Sequence, residues 1–351
     1  ISMWWALNKM ESAVLEGLYK INNASDMQEF EKAMEYIDLI GMNMIYGDNE
    51  NNIALWAAGK IPIRPEHVNS KIILDGASGN DEILGYYSFD KNPRIINPED
   101  GFITTSNDEH ERVDGILYPG YYSPGIRANR IKRLINSRDK WDIEGLSSIR
   151  LDNTSEKDTM LAALILSEAN TKKVSSIGPT YALAINQLHS WDCKTDVNSI
   201  GATIFSNLVY FIMYNTLGDE LNEQDFNSFI NSFLVRSRMS ALFSNENSIW
   251  FDNKTTLNTK ELRSDIFTLS LEETISSLSA QLGDDVSTWK WGKVHTLTHI
   301  HPIGYEEPLD RIFNIGPFAK SGGNDVIDKE GYRYNKAGVY PVVDGPAMRL
   351  L

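Results

Sequence analysis

The 351-residue chain has very little cysteine: Cys193 stands alone. One thiol cannot form an internal disulfide framework, and it excludes any Cys-x-x-Cys metal or redox motif. Long apolar runs are also missing. The longest, such as Ala202 to Met213, is broken by Ser206 and Asn207 and falls short of the roughly 20 residues that a bilayer-spanning helix needs. No membrane span is expected. Positive charge is scarce, with 33 Lys and Arg against 48 Asp and Glu, a formal net charge of −15. That balance disfavours nucleic acid as a partner, because phosphate binding needs a basic face. The glycine patterns of dinucleotide and phosphate loops do not occur, nor does a Gly-x-Ser-x-Gly elbow. The chain opens at Ile1 without an initiator Met or a charged and then apolar leader. It closes on the apolar run Met348-Arg349-Leu350-Leu351 and reads as a piece of something longer.

What is present is ordinary globular composition, 42% apolar and 23% charged, enough to bury a sizeable core. Helical spacing of Val14, Leu15, Leu18 and Ile21 predicts a first helix over residues 10–21. A second begins at the Ser25–Gln28 capping pattern and carries Met27, Phe30, Ala33, Met34 and Ile37 on one face. Two apolar runs, residues 42–46 and 53–57, flank the polar stretch 47–52 and predict a β-hairpin with Asn43 inside its first strand. Residues 60–122 are rich in Gly, Pro and Asn and predict semi-ordered β excursions. An amphipathic helix with a basic outer face follows from residue 123, its cations read as a solvated face. Three regions result: 1–157 with the hairpin, a helical region over 158–285, and a return to β-like alternation over 286–351.

The most conspicuous titratable cluster is His295, His299 and His301. Val294, Thr296, Thr298 and Ile300 favour a strand there, with the three rings on one face. A metal-dependent hydrolase built on these rings is one reading, and structural histidines are the preferred one, because no nearby carboxylate or cysteine completes a metal set. Asp48, Glu50 and Asn52 imitate the start of a calcium loop, but Ile53 and Gly59 stand where that loop requires Gly and Glu. A polar hairpin turn is the better reading.

Several segments, in order, resemble the penicillin acylase family of N-terminal nucleophile hydrolases. They are Asn43-Met44-Ile45-Tyr46-Gly47-Asp48, Asn52-Ile53-Ala54-Leu55-Trp56, Gly59-Lys60-Ile61-Pro62-Ile63-Arg64 and Pro98-Glu99-Asp100-Gly101-Phe102-Ile103. Trp4-Trp5-Ala6-Leu7 resembles the strand entering this region. Trp291-Gly292-Lys293-Val294-His295, His301-Pro302, Gly316-Pro317-Phe318, Gly322-Gly323 with Asp325, and Gly345-Pro346-Ala347-Met348-Arg349 are similar to the family's C-terminal signatures. The resemblance implies an α+β fold, part of an αββα sandwich with an inserted helical region, in which the chain is a partial β subunit.

The family comprises penicillin, acyl-homoserine lactone and cephalosporin acylases, so the implied activity is hydrolysis of an amide through an acyl-enzyme on an N-terminal Ser. That Ser is not Ser2, which lies too close to Asn43 for the family's spacing. The resemblance implies that Asn43 is the side-chain oxyanion donor and that Arg64 contacts the substrate or the active-site network. Met42, Met44 and Trp56, with Trp4, are candidates for an apolar acyl pocket. No cofactor is required; a structural calcium occurs in some members, with ligands unassigned here. The implied partners are a small amide substrate, an α chain from the same precursor and the absent β-chain segments, in the bacterial periplasm. A non-catalytic binding or scaffolding module of the same fold is the alternative.

Overall fold

The computed structural model describes residues 3–9 and 11–346. Ser2 and the Ala347-Met348-Arg349 end of the last motif lie outside those residues. The chain divides into two compact units, Ile1–Ser123 and Pro124–Leu351.

In the first unit α1 (Ala6–Lys9), α2 (Val14–Asn23) and α3 (Met27–Met34) precede β1 (Met42–Gly47), β2 (Ile53–Ala58), β3 (Pro62–Ile63), β4 (Gly85–Tyr86) and β5 (Arg94–Ile96). The segment from Trp4, expected as a strand, runs into α1 instead, and Trp4 and Trp5 are exposed. Helix α3 starts one residue later than the Ser25 pattern suggests. Asp26 is its cap and accepts the Glu29 N–H at 2.8 Å, while the Glu29 carboxylate accepts the Ser25 N–H at 2.9 Å. A carboxylate meets the helix N-terminal donors with full charge, so it displaces the hydroxyl.

β1 and β2 pair antiparallel, with Asn43 opposite Ala57 and Met44 opposite Trp56, and β5 lies on the other side of β2. Asp48 ties the hairpin turn: its carboxylate accepts the N–H groups of Glu50 and Asn52, both at 2.9 Å. Strand alternation separates the two faces of this sheet. Met42, Met44, Tyr46, Ala54, Trp56 and Ala58 pack with Phe30, Met34 and Ile37 into one apolar cluster under the helices. Asn43, Ile45 and Leu55 point the other way.

After β2 the chain turns at Gly59, whose φ is +102° and whose N–H donates to the Ile37 carbonyl at 2.8 Å. The Asn92 carboxamide, fully enclosed, donates to the carbonyls of Ala57 and Gly59 at 2.7 Å each and fixes that turn.

The second unit contains α4 (Ile126–Ile135), α5 (Ile143–Arg150), α6 (Glu156–Glu168), α7 (Thr171–Ser175), α8 (Pro179–His189), α9 (Ile200–Leu217), α10 (Glu223–Ile230), α11 (Phe233–Ser244), α12 (Arg263–Leu282) and α13 (Trp291–Val294). The strands β6 (Thr296–His299) and β7 (Ile315–Ala319) flank α14 (Asp310–Phe313). Ser155, Ser199, Asn222 and Ser232 each accept an N–H three residues on and start α6, α9, α10 and α11. α9 is the one helix among the described residues long and apolar enough to cross a membrane, and 83% of it is buried inside this unit. It runs through the core against α12, where the Asn215 carboxamide reaches Ser270 at 3.1 Å and Glu273 at 2.6 Å.

The basic stripe of α4 is partly consumed internally. Arg130 grips Asp152 through two bonds of 3.1 and 2.6 Å, and Arg133 pairs with Glu156. The unit boundary falls at Ser123 and not at residue 157, and the segment after 286 belongs to this unit: Trp289, Trp291, Val294 and Tyr340 share one cluster with α9 and α12. Among the described residues, β-like alternation after Trp289 becomes a named ladder where β6 meets β7, with isolated bridges at Gly323–Lys329 and Gly331–Asp344. Elsewhere Pro302, Pro308 and the glycine turns interrupt strand pairing.

Candidate active site

Asn43 is half-buried on β1, which is bonded to β2 on one side alone and is therefore an edge of its sheet among the described residues. Its carboxamide is held at both ends. The NH₂ donates to Thr105 Oγ1 at 2.7 Å, and His110 Nε2 lies 2.9 Å from the carboxamide oxygen. With the amide in that orientation His110 carries a proton on Nε2 and donates it. The second N–H of the carboxamide has no acceptor among the described residues, so it is free to meet an incoming oxygen.

His110 is itself braced. Its ring stands edge-on to Tyr118 at 5.5 Å and to Tyr122 at 6.3 Å. The Tyr118 hydroxyl donates to the Ala58 carbonyl, and Tyr122 donates to the Tyr118 carbonyl. Asp108 folds back on Ser106, accepting its N–H at 2.9 Å. The irregular segment 105–122 is thus stitched to the end of β2 and carries Thr105 and His110 to Asn43. Burial pushes the His110 imidazole below its ordinary value, with Asp108 acting in the opposite direction. Burial also pushes the Tyr118 phenol up to about 12. A neutral acceptor, Thr105, and a donor, His110, therefore hold the Asn43 amide and leave its second N–H to meet developing negative charge.

Arg64 follows β3 in a separate two-stranded sheet, half-buried, with no hydrogen bond or ion pair among the described residues. It is an available cation, and no bond joins it to Asn43. Met42, Met44 and Trp56 are not brought to Asn43 either. They lie on the opposite face of the sheet, and Trp56 is fully buried, tilted against Phe30 and donating from Nε1 to Glu31 at 3.1 Å. Their alternation with Asn43 dictates this, since adjacent strand residues face apart. Trp4 is exposed.

The three histidines of the second unit behave separately. His295 is wholly buried, stacked on Trp291 at 4.7 Å, and Nδ1 donates to the Tyr340 carbonyl at 2.6 Å. His299 ends β6 exposed, and His301 Nδ1 accepts the Ile303 N–H at 3.1 Å. Among the described residues no three His, Cys, Asp or Glu side chains are grouped to hold a metal ion. Lys157 is buried against Asp325, with Asp158 3.9 Å away, and links α6 to the C-terminal segment. Burial pushes the Asp158 carboxyl up to about 6.

The penicillin amidase family model matches residues 1–351. The chain belongs to that family. Similar curated proteins include the acyl-homoserine lactone acylase QuiP of Pseudomonas fluorescens, 23% identical over 97% of this chain and 42% of the relative. QuiP of Pseudomonas aeruginosa is 23% identical over 96% of this chain and 42% of the relative. Penicillin acylase 2 proenzyme of a Pseudomonas species is 25% identical over 54% of this chain and 24% of its own length. The chain thus spans about two fifths of the length of the first of these relatives. A thermostable penicillin G acylase from Alcaligenes faecalis matches with a TM-score of 0.56 at 17% identity, over 79% of this chain and 53% of that one. That likeness shows the fold, a mixture of helix and sheet shared with penicillin acylase.

Proposed function

We propose that this chain is part of an amide-bond hydrolase that removes an acyl group from a small amide, with Asn43 as a donor to the oxyanion. The observation that carries the proposal is the two-ended grip on Asn43, which fixes its carboxamide and leaves one N–H unspent. Membership of the penicillin amidase family and relatives named as acylases support it.

The reaction begins with attack of a nucleophile on the amide carbonyl. As the carbonyl oxygen gains charge, the free Asn43 N–H shortens onto it, and His110, donating to the other end of the amide, stops the group from rotating away. Collapse expels the amine and leaves an acyl-enzyme, which water hydrolyses. We assign the nucleophile, an N-terminal Ser by the family resemblance, to sequence outside these residues, and the unpaired Arg64 to contact with substrate. An α chain from the same precursor, an αββα sandwich completed by further β-chain strands, and a periplasmic setting belong to the same proposal. One relative is a proenzyme, in keeping with processing.

The test uses the full parent polypeptide: N-terminal sequencing of its mature chains, then hydrolysis of N-acyl amides and acyl-homoserine lactones by the wild type and by Asn43→Ala. A chain starting at Ser, with kcat lower by about 10²–10³ in the variant, is expected. An unprocessed, inactive parent would replace the enzyme with a binding or scaffolding module.

A further inference from the structure

The second unit holds a cavity of about 500 Å³ between α9, α10 and α11. That volume lies within the roughly 300–1,000 Å³ of small-molecule sites. Its walls are almost wholly apolar, with Met213, Leu217, Phe229 and Met239 among the inner residues. Leu234 and Trp250, 56% and 44% exposed, mark the side open to solvent.

Among the described residues, two charged side chains line it, Glu220 and Arg238. Glu220 is engaged by Lys254 at 2.5 Å, which neutralises it. Arg238 has no hydrogen bond or ion pair among the described residues and is exposed. The lining therefore offers an apolar interior that accepts hydrocarbon, a flexible pair of methionines that adapts to chain shape, and one guanidinium whose fork matches a carboxylate.

We propose that this cavity binds a monocarboxylate amphiphile, with the hydrocarbon chain between Met213, Phe229 and Met239 and the carboxylate on Arg238. The site lies wholly within the second unit and does not rest on the amide-hydrolysis reading. A fatty carboxylate suits it better than an alcohol of equal length, because only the carboxylate answers the unpaired guanidinium. A short carboxylate such as acetate brings no chain to bury and gains too little from one exposed cation.

Calorimetric titration of the full chain with decanoate, decan-1-ol and acetate tests this. Decanoate is expected to bind at one site with a negative heat-capacity change, about tenfold more tightly than decan-1-ol, and acetate is expected not to bind. Arg238→Gln should bring decanoate down to the affinity of the alcohol. Met239→Trp should abolish both by filling the cavity. Should that variant fail to fold, Leu234→Asp at the exposed mouth should weaken decanoate and alcohol alike. Absence of saturable decanoate binding below its micelle concentration would overturn the proposal. An unchanged preference for decanoate over decan-1-ol in Arg238→Gln, or undiminished binding in both cavity variants, would do the same.

Discussion

At the scale of single residues, the informative group is the amide of Asn43 and the two side chains that hold it. His110 donates from Nε2, and that proton is present in both the neutral and the protonated ring. The grip on Asn43 should therefore persist in mild acid, and loss of the ring should be felt as loss of positioning. On the proposed amide-hydrolysis reading, His110→Ala in the parent polypeptide is expected to lower kcat about tenfold with little change in KM, the signature of an interaction made in the transition state. His110→Gln, which keeps a donor at similar reach, should recover most of that loss, and equal defects in the two variants would reduce His110 to packing. The place of Asn43 on a strand was legible in the hairpin pattern, while its proposed role rests on the family resemblance of the run around it. Thr105 and His110 were not legible, since they meet Asn43 from 62 and 67 residues away out of a segment without periodicity. Met42 and Met44 could have been excluded from the Asn43 face by the two-residue alternation of a strand alone.

At the scale of elements, the first unit depends on one helix–sheet contact and one turn. Trp56 is enclosed between Phe30 and Tyr46, with ring centroids 5.5 and 6.4 Å away. Trp56→Ala should cost about 3–5 kcal/mol in denaturant unfolding. On the proposed acylase reading, the parent's relative rates on short and long acyl chains should not change, because the ring does not share a face with Asn43; a shift in that ratio would restore Trp56 to a pocket. Gly59 has a φ of +102°, and a Cβ there would lie 3.3 Å from Gly41 Cα. Gly59→Ala should cost about 1–3 kcal/mol through backbone strain, read as a lower unfolding midpoint. The hairpin and the helical character of residues 158–285 were readable because hydrophobic periodicity and turn residues agree there. The expected strands after 286 were mostly not formed. Alternation of apolar residues marks burial on an irregular chain as well as on a strand, and prolines with glycine turns decide which one results.

At the scale of the whole molecule, buried His295 and partly buried Asp158 of the second unit set opposite responses to acid. His295 has its Nδ1–H on a carbonyl and Trp291 across its ring, so a second proton would place unpaired charge in an apolar stack, and burial lowers its value to about 4. The unfolded histidine titrates near 6.5, so acidification charges the unfolded chain first. Stability supplied by neutral His295 is present above that value and is lost as pH falls through the window from about 6.5 to 4, by about 3 kcal/mol. Asp158 has the opposite sign. Burial raises its carboxyl from 3.8 to about 6, so the folded state takes up a proton first. Its contribution is complete below about 4 and lost as pH rises through 6, again about 3 kcal/mol. Over one window the two nearly cancel, which flattens the acid response of the wild type. Asp158→Asn removes one arm and leaves the other. Urea unfolding at pH 7, 5.5 and 4.5 should show the variant losing about 2–3 kcal/mol more than the wild type across that range. His295→Phe should show the reverse, gaining relative to the wild type as pH falls, because the only group of the pair still titrating is the one that favours the folded state in acid. Parallel pH profiles for all three proteins would mean that neither group holds its proton differently in the folded chain.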